Sequence, residues 1–337
     1  MTFLSRTQTK IVLLVAVLAA VGAVCAHVAF ARSSSKLGTG VVIIETNLKY
    51  EGGSAAGTGM VLTSNGEVLT NNHVISGATT IRVRVPGAGR TYTAKVVGYS
   101  RSKDVAVLQL QNASNLKTIS VSGPSAKIGQ TVTAVGDAGG AGVLSTVHGS
   151  VTALRQTITA SDETEASETL TGLIETNADV VPGDSGGPLL DASGNVIGMD
   201  TAASSGSPYQ VAESTEGYAI PIHTALALAS AIEAGKSSTI VHVGATAFLG
   251  VEVTEVQTWN GTATEIEGVV TGGPADRAGL GAGDVITALD GKSISAATDV
   301  TSFVLAQKPG TKVSVSYTDA YGDPGVATVT LGTGPAQ

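Results

Sequence analysis

The chain has 337 residues, of which 43 are glycine and 14% are charged, with a net charge of −8. The glycines follow no fixed period, which excludes collagen, and the acidic balance without a basic face excludes a nucleic-acid footprint. The single cysteine, Cys25, lies in an N-terminal apolar run. The rest of the chain therefore has no internal disulfide, thiol nucleophile or thiolate metal ligand, and its cores hold unaided.

Arg6 and Lys10 precede an apolar stretch from Ile11 to Phe30, and Arg32 and Lys36 follow it. A run that is apolar on all sides behind basic residues at the N-terminus is a targeting segment rather than a core helix. Ala29-Phe30-Ala31 fits a small-x-small cleavage site, yet about 20 apolar residues also approach the length that spans a bilayer. A cleaved signal and a retained anchor both stay open, and Val24 is too bulky to make Cys25 a lipobox cysteine. Residues 1–36 are thus signal peptide or signal-anchor and linker. The remainder is expected to be exported, either secreted or extracytoplasmic on a single membrane pass.

From Val41 to about Tyr218 the residues read as short strands broken by Gly, Asn and Pro. Ile81–Val85 alternates with period 2, as a half-buried strand does, whereas Val105–Leu110 is more continuously apolar. Ser161–Glu168 reads as a solvated acidic loop. Asp191–Asn195 joins two apolar runs as a hairpin turn. Many strands at this spacing predict a mainly β antiparallel barrel or sandwich. One helix is predicted over Ile222–Ala234, with Ile222, Ala225, Leu226, Ala229 and Ile232 on one face and Gly235 as C-cap. Residues 37–235 form the first domain on this reading and 236–246 a linker. A second domain over 247–335 runs strand, strand, a Pro274-Ala275-Asp276 turn, strand, a helix near Ala296–Gln307, then strands.

The stretch Pro182-Gly183-Asp184-Ser185-Gly186-Gly187-Pro188 carries the most chemistry. A serine attacks a carbonyl only if a base takes its proton and donors await the oxyanion. Glycines around Ser185 let the backbone turn tightly, so that the N–H groups of Gly183 and Ser185 form the oxyanion hole. The same residues match Gly-x-Ser-x-Gly, the nucleophile elbow of α/β-hydrolases. That reading demands a helix after the serine, with acid and histidine downstream. Pro188 and a hairpin follow instead.

In a β-barrel hydrolase the order is His, Asp, Ser. His148 lies in a Gly-rich stretch read as mobile, whereas His73 directly follows a strand. Among the carboxylates between, Asp137 is Gly-flanked and Asp162 lies in the acidic loop, so both read as solvated. Asp104 stands at the entry of the apolar strand Val105–Leu110, where a side chain is buried and aimed. His73, Asp104 and Ser185 are the candidate catalytic residues. The histidines are too scattered for a zinc site and no phosphate loop is present, so neither metal nor nucleotide cofactor is expected.

Thr70-Asn71-Asn72-His73-Val74, Asp104-Val105-Ala106-Val107-Leu108 and the Pro182–Pro188 loop resemble the HtrA/Deg family of trypsin-fold serine proteases. The resemblance covers about residues 38–335 and looks closest to the exported, single-PDZ members of actinobacteria. It implies a chymotrypsin/trypsin-like double β-barrel followed by a PDZ domain. Tyr218–Ile222 is similar to the family's last barrel strand. Phe248-Leu249-Gly250-Val251 fits its carboxylate-binding loop, with Gly272–Ala275, Ala278–Leu280, Gly283–Ile286 and Asp290-Gly291 as later landmarks. Successive N–H groups at Leu249 and Gly250 suit a terminal carboxylate, the peptide then adding as an edge strand. The implied activity is endoproteolysis of exported, unfolded or misfolded polypeptides. A holding role without turnover and a latent enzyme with a disordered oxyanion loop are its rivals. The family often forms trimers, and no residue here specifies one.

Two departures stand out. The family usually carries Asn before the serine, where this chain has Asp184; no activation site precedes the first strand, so Asp184 is expected to bond within its loop. Asp179, six residues before Ser185, and Asp200, where the family commonly has Asn, suggest an acidic S1 pocket that admits basic P1 side chains. A surface carboxylate is the alternative for Asp179.

Overall fold

The computed structural model describes residues 37–50, 52–161, 167–204, 210–211, 216–258 and 261–336. The apolar run behind Arg6 and Lys10 and the carboxylate of Asp162 lie outside them. Among the described residues no helix is long and apolar enough to cross a membrane.

The first half is strand after strand, as the alternating and β-branched runs predict. β1 (Val41–Leu48), β2 (Gly53–Val61), β3 (Glu67–Thr70), β4 (Thr80–Val85), β5 (Arg90–Ser100) and β6 (Val105–Leu110) pair in the order β5-β4-β1-β2-β3-β6. Pairing of β5 with β6 closes the sheet into an antiparallel barrel. β7 (Thr131–Gly136), β8 (Ser145–Ser161), β9 (Ser167–Thr176), β10 (Pro188–Leu190), β11 (Val196–Ser204), β12 (Gln210–Val211) and β13 (Gly217–Pro221) build a second barrel. It runs β10-β7-β8-β9-β13-β11 and closes through β10 and β11, with β12 parallel to the end of β11. Closure leaves few edges to aggregate. The pairing of β8 with β9 reaches Ser161 and Ser167. Ser161, Ser167 and Glu168, read from sequence as loop, are therefore strand residues. His148 is likewise a β8 residue opposite Thr133, not part of a mobile stretch.

Burial explains which strands read as continuous apolar runs. In β6, Ala106, Leu108 and Leu110 fill the first barrel, while Val105 and Val107 face the opposite way into the layer shared with the second barrel. β1 divides similarly, with Val42 and Ile44 inside and Val41 in the shared layer. A strand apolar on both faces loses its period-2 signature. The helix Ile222–Glu233 lays Ile222, Ala225, Ala229 and Ile232 on that shared layer. The second barrel encloses Val132, Ala134, Val151, Ile174, Leu189, Ile197 and Ala219.

Beyond the helix, β14 (His242–Val243) lies along β5. β15 (Thr246–Phe248), β16 (Val251–Thr258), β17 (Gly261–Val269), β18 (Val285–Leu289), β19 (Lys292–Ser293), β20 (Lys312–Thr318), β21 (Pro324–Thr330) and β22 (Gly332–Gly334) follow. The five-strand order is β16-β17-β18-β20-β21, with β19 beside β18 and β15 paired to β22. A one-turn helix Pro274–Arg277 replaces the predicted turn, and the helix Ala297–Leu305 falls where the sequence placed it. Ile266, Leu280, Ile286, Leu289, Val300, Val313 and Val329 form this region's own core.

Several contacts tie this region to the barrels, among them a hydrogen bond between Tyr99 Oη and Thr246 Oγ1 at 3.2 Å. β14 pairs with β5. Phe248 stacks on Tyr50 with ring centroids 5.2 Å apart. Ala336 bridges to Ser76, accepts the Gly77 N–H at 2.9 Å and is buried in the first barrel's core.

Leu108 is fully buried. Leu108→Ala is expected to cost about 2–5 kcal/mol through lost burial and the cavity left behind, measurable as a lowered urea midpoint at unchanged slope.

Candidate active site

His73 is the second residue of the one-turn helix Asn72–Ile75, which follows β3 directly. Asp104 caps the 3₁₀ turn Arg101–Lys103 in left-handed backbone, with φ +50°. That conformation is uncommon for a residue with a Cβ but tolerated by Asp. It delivers the carboxylate to His73 twice. Asp104 Oδ2 lies 2.9 Å from His73 Nδ1, and Oδ1 accepts the His73 backbone N–H at 3.0 Å. Thr201 Oγ1 on β11 donates a short hydrogen bond to Oδ2, and Asn71 Nδ2 donates to the Asp104 carbonyl at 2.9 Å. Asp104 is 1% exposed. Both oxygens of this buried group are hydrogen-bonded. It holds the imidazole in one orientation, leaving Nε2 as the nitrogen able to take a proton.

The nucleophile loop links Thr176, the end of β9, to β10. Gly183 has φ +99°, and a Cβ there would lie 2.2 Å from the Asp137 carbonyl oxygen. At Gly186, with φ +84°, a Cβ would lie 2.1 Å from the Thr58 carbonyl oxygen. Only glycine fits at either position. The Pro182 carbonyl accepts the Gly139 N–H at 2.7 Å, and the Asp184 carbonyl accepts the Gly187 N–H at 2.8 Å. In a trans peptide the N–H points opposite to the carbonyl. The N–H groups of Gly183 and Ser185 thus point away from those bonds, and neither donates to a described residue. Two adjacent unpaired donors beside a half-buried serine suit a developing oxyanion.

Thr58, on β2, fixes this loop to both barrels. Its N–H donates to the Ser185 carbonyl at 2.8 Å and its hydroxyl to the Gly183 carbonyl at 2.7 Å. The same hydroxyl accepts the Asp137 N–H at 2.9 Å, and the Thr58 carbonyl accepts Thr70 Oγ1 at 2.7 Å.

Carboxylates surround the loop. Asp137 is 1% exposed, and its Oδ1 accepts the Val143 N–H at 2.9 Å. The solvated role read from its glycine neighbours is therefore wrong, since β7 carries it inward. Asp184 does bond within its loop, as its Oδ2 accepts the Val181 N–H at 3.0 Å. Burial is the main cause that raises its carboxyl to about 6, with Asp137 and Asp179 adding repulsion against that one hydrogen bond. Asp200 is fully buried on β11 and held well above the usual carboxylate range by burial and by Asp184. Asp179 is exposed between buried Ala178 and Val180.

In the second region, the Leu249 carbonyl accepts the Ala275 N–H and the Gly250 carbonyl accepts the Val270 N–H, both at 3.0 Å. The N–H groups of Gly250 and Val251 therefore point the other way, beside the open edge of β16. Leu249 is buried, and Phe248 turns its ring onto Tyr50.

The hairpin after β10 is present. Asp191 and Asn195 close it, and Asp191 Oδ1 accepts the N–H groups of Ser193 and Asn195. No helix follows Ser185, so the elbow reading fails. Sequence reasoning missed Thr58 and Thr201. The signal for Thr58 was a hydroxyl between two glycines, Gly57 and Gly59; that for Thr201 was a hydroxyl at the heel of the apolar run of β11.

Comparison with known proteins agrees with this arrangement. A trypsin-like peptidase domain model matches residues 57–199, and a PDZ domain model matches residues 247–319. The serine protease PepD of Mycobacterium tuberculosis is 33% identical over 317 residues, covering 89% of this chain and 65% of the relative. The periplasmic pH-dependent serine endoprotease DegQ of Escherichia coli is 33% identical over 272 residues, covering 77% and 55%. The chain thus spans between about half and two thirds of those relatives' lengths. The solved structure of the HtrA-type protease AlgW with tripeptide superposes with a TM-score of 0.51 at 29% identity, covering 91% of this chain and 98% of that one.

Thr58→Val strands the Gly183 carbonyl and the Asp137 N–H together, so a loss of about 1–3 kcal/mol for each is expected, read in chemical denaturation. Asp184 binds its proton more tightly folded than unfolded. Its contribution to stability is therefore complete below pH 3.8 and lost as pH rises towards about 6. Asp184→Asn is expected to flatten that part of the melting-temperature profile.

Proposed function

We propose that this chain, which belongs to the HtrA/Deg family of trypsin-fold serine proteases with one C-terminal PDZ domain, is a serine endopeptidase using His73, Asp104 and Ser185. The observation that carries this is the buried relay Thr201–Asp104–His73 standing beside a nucleophile loop with two unpaired N–H groups.

His73 takes the proton of Ser185 Oγ as that oxygen attacks a peptide carbonyl. The N–H groups of Gly183 and Ser185 receive the oxyanion. His73 then hands the proton to the leaving amine, and a water, deprotonated in turn by His73, releases the acyl group. Asp104 orients the ring and stabilises the imidazolium. No step calls on a metal or nucleotide.

The substrates are exported polypeptides in unfolded or misfolded form, which present extended backbone to the cleft beside β13. The protease body spans 37–235, 236–246 links it to a PDZ domain over 247–335, and 1–36 directs export as cleaved signal or single-pass anchor. The periplasmic designation of DegQ supports that location. Peptide C-termini place their carboxylate on the loop Phe248–Val251 and add as a strand to the open edge of β16. A homotrimer is the assembly the family suggests. The exposed Asp179 supports a preference for Lys or Arg at P1, whereas Asp200, fully buried, presents no surface to a substrate.

Ser185→Ala is expected to lower turnover of casein by on the order of 10⁴–10⁶-fold; a folded variant that still digests casein at the parent rate overturns the assignment. Cleavage-product profiling is expected to show Lys and Arg at P1, weakened by Asp179→Ala. A purely aliphatic profile unmoved by that change removes the acidic pocket.

A further inference from the structure

The reaction above leaves two carboxyl groups behind the nucleophile unused. Asp200 is fully buried, and neither of its carboxyl oxygens receives a hydrogen bond. Asp184 is 2% exposed; its Oδ2 accepts the Val181 N–H and its Oδ1 accepts nothing. Neither forms an ion pair with a described Lys, Arg or His. The charges that bear on them are acidic: Asp137 and Asp179 act on Asp184, and Asp184 acts on Asp200.

Their backbones meanwhile lace the loop. The Asp200 carbonyl accepts the Gly186 N–H at 2.8 Å, the Asp200 N–H donates to the Gly187 carbonyl at 2.9 Å, and the Asp184 carbonyl accepts the Gly187 N–H. Any movement of either side chain is thus passed directly to the residues flanking Ser185.

Two neighbouring buried anions with a single donor between them and no cation are the least stable state of such a site, because burial and mutual repulsion both disfavour charge. A proton is the smallest species that removes both penalties. We propose that Asp184 and Asp200 form a proton-holding acid pair, with Asp200 as the neutral acid, and that this pair positions the nucleophile loop of the protease reaction. The inference rests on the endopeptidase reading. Its direction is fixed: once the pair gives up its last proton, two like charges share a dry site one residue from Ser185. The loop that carries the Gly183 and Ser185 donors is then displaced. Activity therefore falls on the alkaline side. Both residues are positioning residues, since neither touches the reacting atoms.

The test compares the full chain with Asp200→Asn and Asp184→Asn, measuring kcat/KM on a peptide substrate across the pH range, with infrared spectra of the unliganded proteins. The parent is expected to show an alkaline limb and, at neutral pH, a carbonyl stretch of a protonated, buried carboxylic acid. Asp200→Asn is expected to remove that band and move the limb upward by about one pH unit or more. Asp184→Asn, which relieves the same repulsion, moves the limb the same way and keeps the test open if the first variant does not fold. A limb unmoved in both variants, or a parent without the band, overturns the proposal. So does selective loss of cleavage after Lys and Arg in Asp200→Asn, which makes Asp200 an ionised specificity group. Abolition of the band by titrating sodium or potassium chloride into the parent overturns it too, assigning the site to a cation. If the parent cleaves nothing and Ser185 resists a fluorophosphonate, the endopeptidase reading fails, while the infrared band still decides the state of the pair.

Discussion

The hydroxyl of Thr58 is the point on which the site depends. It is fully buried and spends both its donor and an acceptor position, on the Gly183 carbonyl and the Asp137 N–H. Thr58 belongs to the first barrel; Gly183 and Asp137 belong to the second. The first barrel carries His73 and Asp104, and the second carries Ser185. Barrels packed on apolar surface alone would slide, because burial is non-directional. Hydrogen bonds of fixed length remove that freedom where an ångström matters to the chemistry.

Asp104, Asp184 and Asp200 show how environment divides one residue type. All three are buried. Asp104 is met by an imidazole, a hydroxyl and a backbone N–H, so its charge is compensated from several directions. Asp184 is met by one N–H and Asp200 by none. The site thus contains a fully hydrogen-bonded carboxyl group beside His73 and under-compensated ones behind Ser185. The contrast comes from the strands that deliver each residue: the left-handed turn before β6 aims Asp104 outward at His73, whereas β11 turns Asp200 inward.

Much of this was legible in the sequence because it is local. The turn carrying His73, the glycine-flanked loop of Ser185, the hairpin at Asp191–Asn195 and the helix from Ile222 each rest on residues close together in the chain. Other features were not legible. Asp137 reads as solvated from its glycine neighbours, but its burial is set by Thr58, 79 residues away. His148 reads as loop because glycine breaks the strand signal, yet it is held opposite Thr133 by the β7–β8 ladder. Thr201 shows only as a hydroxyl after an apolar run, and its meaning depends on Asp104 being brought to it across 97 residues.

The second region is fastened to the barrels at several points. It leaves the barrels through β14 on β5 and returns through Ala336 at Ser76, just past the helical turn of His73. A body tethered at one point swivels in any direction, whereas one held at several points out of line does not turn without straining them. The stack of Phe248 on Tyr50 and the hydrogen bond between Tyr99 and Thr246 add to the two strand contacts, so a load on β16 reaches the barrels as strain at these points. One of them, at Ser76, lies three residues from His73.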